Sequence, residues 1–397
     1  MSVPRRTQVG IVGAGPAGLL CAHLLQRMGI DCVVLERSSM QHTSQRLRAG
    51  VLEDGAVKYL ASVGLGERMA KIGMPMQGMA FHFGGIAREV RFSEETGGRI
   101  AMVYPQHELV ADLLAARTPA HGPILFEAPV LRVEDAGTQR PRIVYEHAGN
   151  QLTLDCDFVV GADGYHGVCR QAIPADVLKV YQHDYPFSWL GILAHAPPAR
   201  LDMTTWAHHP RGFAMLSMRS PQVSRLYLQC PPDDTVDSWS DDRIWSELHT
   251  RLEIEGGFKM AEGPIAQKTL TRMRSLMAEP MQYGRMFIAG DAAHIVPPTG
   301  AKGLNSAIAD IRVLAAALRS HYQDNDGSRL AHYSQICLKR MWLVQRFSSR
   351  LCTMAHTFPD ADELMTRLQI AEFDHMTGSA TGRRDFAECL TGLPVDD

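Results

Sequence analysis

Two spacings of apolar residues divide the chain. Short unbroken apolar runs end in glycine or an acidic residue at QVGIVG (8–13), DCVVLE (31–36), DCDFVVGAD (155–163) and GRMFIAGD (284–291). Runs of this kind predict strands buried on both faces, as in a parallel sheet. AGLLCAHLLQRMG (17–29) carries helical spacing between the first two runs, so residues 8–36 predict a βαβ unit. Helical patterns return from about Gly303 to Ser320 and over 329–358. Between about 181 and 269 the texture changes: FAMLSMR (213–219) and RLYLQC (225–230) alternate among prolines and glycines. That alternation predicts an antiparallel sheet with one face on a core. The expected fold class is α/β, a domain assembled from both ends of the chain with a sheet domain inserted in it.

Composition narrows the function classes. The chain has 397 residues, 45% hydrophobic and 21% charged, with a formal net charge of −3. A nucleic-acid surface is therefore not expected. Arg5-Arg6 ahead of the apolar stretch Val9–Leu25 has the outline of a secretory signal. Gly13, Gly15, Pro16 and Gly18 interrupt that stretch, and a strand, turn and helix account for it better. No run of eighteen apolar residues occurs, so no bilayer span is expected. Eight scattered cysteines include no C-x-x-C pair. Reduced, buried thiols in a cytoplasmic protein are expected, with no metal site.

GAGPAG, Gly13 to Gly18, fits G-x-G-x-x-G between a strand and a helix. Gly13 permits the tight turn, Gly15 lets backbone approach a pyrophosphate, and Gly18 seats the helix on the strand. Glu36 ends the second strand, placed to accept from ribose hydroxyls. It would repel a 2′-phosphate, which leaves FAD or NAD. Two later motifs favour FAD: GADG (161–164) and GDAAHIVPPTGAKGLN (290–305). Asp291, between small residues at a strand end, suits a ribityl or ribose hydroxyl. The loop Pro297-Pro298-Thr299-Gly300 leads to a helix whose N–H groups can face the electron-rich edge of an isoalloxazine.

On these motifs, with LRAGVLE (47–53), GADGYHGVCRQAIP (161–174), YPFSWLG (185–191), HPRGFA (209–214) and GLP (392–394), the sequence resembles the single-component flavoprotein aromatic hydroxylases along essentially its whole length. Among them it is most similar to those acting on 4-hydroxybenzoate. The resemblance implies a Rossmann-like FAD domain of the glutathione-reductase type, from 1–75, 97–180 and 270–320. It implies a sheet segment at 76–96, a substrate-binding sheet at 181–269 and a helical C-terminal segment at 321–397, where a homodimer interface is expected. It implies FAD, NADPH or NADH as co-substrate, and O2, one atom of which goes to an electron-rich ring carbon. By position, Glu36, Arg37, Arg48, Gln106, Asp163, Asp291, Leu304 and Asn305 are implied at FAD. Arg225 is implied to hold the flavin inward, and Pro298 and Thr299 to line the reacting face. Arg37, Arg46, His166, Arg170 and Arg274 are implied in handling NADPH, where a cation cluster suits a 2′-phosphate.

The stretch TTWAHHPRGFAMLSMRS (204–220) falls in the implied substrate sheet. Ser217, Arg219 and Tyr227 occupy the positions that grip a substrate carboxylate in the family. Alternation puts Ser217 and Arg219 on one strand face, and a guanidinium can bind a carboxylate bidentately. The remaining expected pocket residues are Thr204, Trp206, Met215, Pro298 and Leu390. The family's 4-hydroxybenzoate enzymes use two tyrosines and a histidine to draw off the phenolic proton. Trp206, Leu390 and Met76 stand there in this chain, and none can relay a proton. The expected substrate is therefore an amino- or hydroxy-substituted 4-hydroxybenzoate such as 3-amino-4-hydroxybenzoate; 4-hydroxybenzoate itself, giving protocatechuate, is the alternative. A nicotinamide-dependent dehydrogenase built on the first βαβ unit would lack a use for the second Gly-Asp motif. A flavin-binding sensor that had lost the chemistry would show no substrate-stimulated NADPH oxidation.

Overall fold

Strand β1 (Arg6–Val12) and strand β2 (Cys32–Leu35) run parallel, with helix α1 (Pro16–Arg27) crossing between them. This is the chain's opening in the computed structural model, which describes residues 4–46, 50–117 and 122–395. The arginine-led apolar stretch is thus strand, turn and helix. All four residues of β2 are buried, as a central parallel strand requires. Asn150–Gly161 lies parallel to β1 on its other side, and Met286–Ile288 lies parallel to that strand. Val12 pairs with Gly161 and Leu35, and Gly161 with Ile288. Four strands therefore end level at one edge of the sheet. Helix Gly303–Gln323 packs against α1, and its buried Ile308, Ile311, Leu314 and Leu318 share a core with Val9, Ile11, Leu20 and Leu24.

The second sheet has eight strands. Its centre is Lys179–Ala194, Val223–Cys230, Ala214–Ser220 and Met203–Ala207, each antiparallel to the next. Gly78–Phe83 and Ile86–Arg91 extend it on one side and Ile265–Glu279 on the other. The last strand runs from the middle of the chain back to the nucleotide sheet. Alternation divides the second sheet's faces. Leu190, Ile192, Leu216, Leu226 and Leu228 pack under helix Asp241–Leu252. Trp189, Trp206, Phe213 and Tyr227 face helices Ser328–Ala355, Glu363–Gly378 and Ala380–Thr391 through Phe347, Phe373, Phe386 and Leu390.

Eight buried cysteines are all free. Among the described residues no group of His, Cys, Asp or Glu could hold a metal ion, and no helix is long and apolar enough to cross a membrane.

Candidate active site

The level edge of the parallel sheet collects the nucleotide motifs. Gly13 follows β1, Glu36 follows β2, Asp163 follows Asn150–Gly161, and Asp291 lies three residues past Ile288. Ligands of open α/β sheets bind beyond the carboxyl ends of strands. The three glycines divide the work as the spacing implies. Gly13 has φ +100°, and a side chain there would meet the Ala162 carbonyl. A Cβ on Gly18 would lie 1.9 Å from the Gly13 oxygen, so the helix cannot approach the strand with any larger residue. Gly15 has no protein atom within 4 Å of its would-be Cβ, and φ −71° leaves its backbone unstrained. The space beside that glycine is open to an approaching ligand. No side chain caps α1, so its first N–H groups are left to an anion.

Acidic groups surround this cradle. Glu36 accepts from the backbone N–H of Ala14 (2.7 Å) and Ser38 (2.8 Å), which fixes its carboxylate beside the glycine turn. Asp163 Oδ2 accepts from Cys169 N–H at 2.9 Å, while its buried Oδ1 has no protein partner. A buried carboxylate oxygen in that state fits a ligand hydroxyl. Burial raises the Asp163 carboxyl above its ordinary range, against the pull of the backbone N–H groups. Asp291 is half-buried in the turn Gly290–Ala292. Two residues that motif reading passed over hold this turn. Asp310 accepts from Gly290 N–H (2.9 Å) and pairs with His294 (2.7 Å), both fully enclosed. The arrangement fits FAD.

The loop after this turn is tied down from behind. Pro298 is exposed, whereas Thr299 is buried and donates to the Ser348 carbonyl at 3.0 Å. Leu304 is half-buried in the first turn of helix Gly303–Gln323. Asn305 gives both amide hydrogens to Val51 and Ala301 carbonyls and accepts from Glu53 N–H, so its side chain joins the loop to strand Val51–Leu52. Lys302, unremarked in the sequence, is completely buried. Its ammonium bonds Glu53 at 2.6 Å, the Cys389 carbonyl, and the Leu390 carbonyl at 3.3 Å. Gln106 is the first residue of helix Gln106–Ala116 and is half-buried. Arg48 lies outside the described residues.

The cations expected at NADPH fall into two sets. Arg37 and Arg46 are exposed on either side of helix Met40–Gln45. Arg170 and Arg274 pack over the ring of Tyr165, at 5.5 and 4.8 Å, with His166 edge-on to it. Arg170 also spends its two terminal nitrogens on the carbonyls of Ala292 and Tyr165, so it braces the Asp291 turn. Tyr165 organises this group, and no spacing rule singles it out.

In the second sheet, Trp206 is opposite Met215 and Met215 opposite Tyr227, while Ser217 is opposite Arg225. Directly opposed residues share a face, so one surface presents Thr204, Trp206, Met215, Ser217, Arg225 and Tyr227. Thr204 Oγ1 lies 3.2 Å from Ser217 Oγ and 3.3 Å from Met76 Sδ. Met76 thus lies against Thr204, in the same buried cluster as Trp206. Trp206 Nε1 donates to Met215 Sδ at 3.1 Å. Arg225 Nε donates to Tyr227 OH at 3.1 Å, its guanidinium lying over the Tyr227 ring. The ladder skips Arg219, between Met218 and Ser220, and its guanidinium reaches His107 at 3.2 Å. Burial, then the neighbouring Arg225, lowers the Arg219 pKa. Leu390 is buried in the same cluster as Trp206 and Tyr227. His356 sits behind them, its Nε2 accepting from Trp189 at 2.6 Å and its Nδ1 donating to the Cys352 carbonyl at 2.8 Å. Two cavities of about 210 and 200 Å³ flank the tail at Leu393–Val395, and neither is lined by these residues of the second sheet.

A dinucleotide edge joined to a polar-and-aromatic sheet face fits a flavoprotein oxygenase. The FAD binding domain family matches residues 6–348, and the chain belongs to it; it is a FAD-dependent aromatic hydroxylase. It is 40% identical over 391 residues to p-hydroxybenzoate hydroxylase of Acinetobacter baylyi, spanning 98% of this chain and 96% of that one. It is 26% identical to 3-amino-4-hydroxybenzoate 2-monooxygenase of Streptomyces cremeus, over 92% of each. The crystal structure of p-nitrophenol 4-monooxygenase from Pseudomonas putida superposes with a TM-score of 0.82 at 19% identity, covering 98% of this chain and 100% of the other. That likeness shows the fold.

Proposed function

We propose that this chain hydroxylates the ring of a benzoate carrying a 4-hydroxyl and a further amino or hydroxyl group, as in 3-amino-4-hydroxybenzoate. Ser217, Arg219 and Tyr227 receive the carboxylate. Bound FAD supplies, with NAD(P)H and O2, the oxidation that ring oxygenation requires. The observation that carries the reading is the environment of Trp206. Its only proton donor is turned to the Met215 thioether, Leu390 is aliphatic, and His356 has both nitrogens engaged. None of these side chains can accept a phenolic proton and pass it on. A substrate with a second lone-pair donor on the ring does not depend on becoming a phenolate. The Streptomyces cremeus relative acts on such a compound by its name, which supports the same substrate class.

The second reading, 4-hydroxybenzoate converted to protocatechuate, is favoured by the 40% identity over nearly the full length. The test scores NAD(P)H consumed against hydroxylated product over a panel of hydroxy- and aminobenzoates. Tight coupling on 3-amino-4-hydroxybenzoate with uncoupled oxidation on 4-hydroxybenzoate is expected. Stoichiometric, rapid formation of protocatechuate overturns the first reading in favour of the second.

A further inference from the structure

His107 is the second residue of helix Gln106–Ala116, next to the expected flavin contact Gln106. Its Nδ1 lies 3.2 Å from Arg219 Nη2. A guanidinium can only donate, so Nδ1 carries a lone pair and the proton sits on Nε2. Nε2 in turn lies 3.2 Å from Glu108 Oε1. The imidazole is therefore held at both nitrogens, in one tautomer, against the group that meets the substrate carboxylate. Behind it the order continues. Arg68 bonds both the Glu108 carboxylate and Asp112, at 3.0 Å to the latter, and Tyr104 OH closes on the other Asp112 oxygen. Among the described residues, the charged and titratable groups acting on this pair are Glu108 on the same helix, Arg68 from helix Glu67–Ile72, and Arg225 and Tyr227 from the adjacent strand, with Asp112 and Tyr104 bonded behind Arg68.

We propose that His107 is a proton-linked positioning residue of the carboxylate clamp: neutral, it accepts one Arg219 N–H and aims the guanidinium; protonated, it releases that N–H and adds a second cation beside the bound acid. The inference rests on the reading of Arg219 as the carboxylate's partner. Burial, with Arg219 and Arg68, holds the unliganded imidazole below its usual range, while Glu108 opposes them. An anion on Arg219 reverses part of that pull, so binding takes up a proton. The sign follows: affinity for an aromatic carboxylate rises as pH falls toward the lowered pKa of the imidazole, while the ligand, with a carboxyl pKa of about 4, stays ionised.

Titration calorimetry of the FAD-loaded protein with 4-hydroxybenzoate reads this directly. The wild type should bind roughly five- to tenfold tighter at pH 5.5 than at pH 7.5, a fraction of the unscreened charge–charge effect. Buffers of different ionisation enthalpy should report proton uptake. His107→Asn keeps an acceptor for Arg219 and a donor for Glu108 but cannot titrate. It should match wild type at pH 7.5 and lose both the pH dependence and the proton uptake. His107→Leu, without an acceptor, should bind several-fold more weakly at pH 7.5. A pH-independent wild type, or an unchanged slope in His107→Asn, overturns the latch. Arg219→Ala separates the two readings: undiminished binding by that variant overturns the clamp itself.

Discussion

Replacing Lys302 with methionine removes a charge that no water reaches. The side chain is 0% exposed and its ammonium has three acceptors: Glu53, and the last carbonyls of helix Ala380–Thr391 at Cys389 and Leu390. Breaking a buried ion pair from one side costs about 3–5 kcal/mol. Arg340 remains 3.2 Å from the other Glu53 oxygen, so the carboxylate keeps one cation and the cost falls to the low end. Loss of a cation at the helix C-terminus adds about 0.5 kcal/mol. The expected destabilisation is about 3.5 kcal/mol in urea unfolding of the apoprotein. Glu53→Gln in the same background removes the stranded charge, so the double variant should lose less than the sum of the singles, with a coupling of at least about 1 kcal/mol. The consequence reaches the site, because this ammonium ties the loop after Thr299 to the helix that carries Leu390. A loss under about 1 kcal/mol, or additive singles, would refute the view of Lys302 as the clasp between flavin loop and C-terminal helix.

Other substitutions separate cradle from scaffold. Gly15→Ala should leave apoprotein stability within about 1 kcal/mol, since its Cβ meets nothing, yet weaken FAD binding at least roughly tenfold, as read by flavin fluorescence. Gly18→Ala, whose Cβ would sit 1.9 Å from the Gly13 oxygen, should instead fail to accumulate as folded protein; equal behaviour of the two variants contradicts the division of roles. His356 is buried and neutral, its pKa pushed down to about 3 by burial. The unfolded chain therefore binds a proton there that the folded one refuses, and stability falls as pH drops below about 6.5, by about 2 kcal/mol at pH 5. His356→Gln, which can accept from Trp189 and donate to the Cys352 carbonyl, should flatten that slope in urea titrations at several pH values.

Legibility in the sequence tracked how local each constraint is. The glycine turn, the buried parallel strands and the alternating sheet are written within a few residues, and β1, α1 and β2 stand where QVGIVG, AGLLCAHLLQRMG and DCVVLE place them. The expected substrate face was half legible. Alternation put Ser217 and Arg219 on one strand face, but the ladder breaks at Arg219, and strand period says nothing about a side chain at a break. The residues that escaped notice act across the chain. Lys302 meets Glu53 over 249 positions and Arg219 meets His107 over 112. Neither has a motif, because a buried cation is specified by acceptors that arrive from other elements. Met76 shows the same limit from the opposite side. Position aligns it with a relay group, and that its thioether lies against Thr204 is a contact position alone does not give. Two thioethers, Met76 and Met215, thus accept from Thr204 and Trp206, neighbours on one sheet face, and sulfur is a weak acceptor. A substrate that brings a stronger acceptor to either donor gains by the exchange, so a ring amino or hydroxyl substituent can be selected by hydrogen bonding as well as by its electronics. Trp206→Phe, which keeps the aromatic bulk and removes the donor, should therefore raise the KM of the better substituted substrate while sparing unsubstituted benzoate binding. An equal loss for both ligands would leave Trp206 as packing alone.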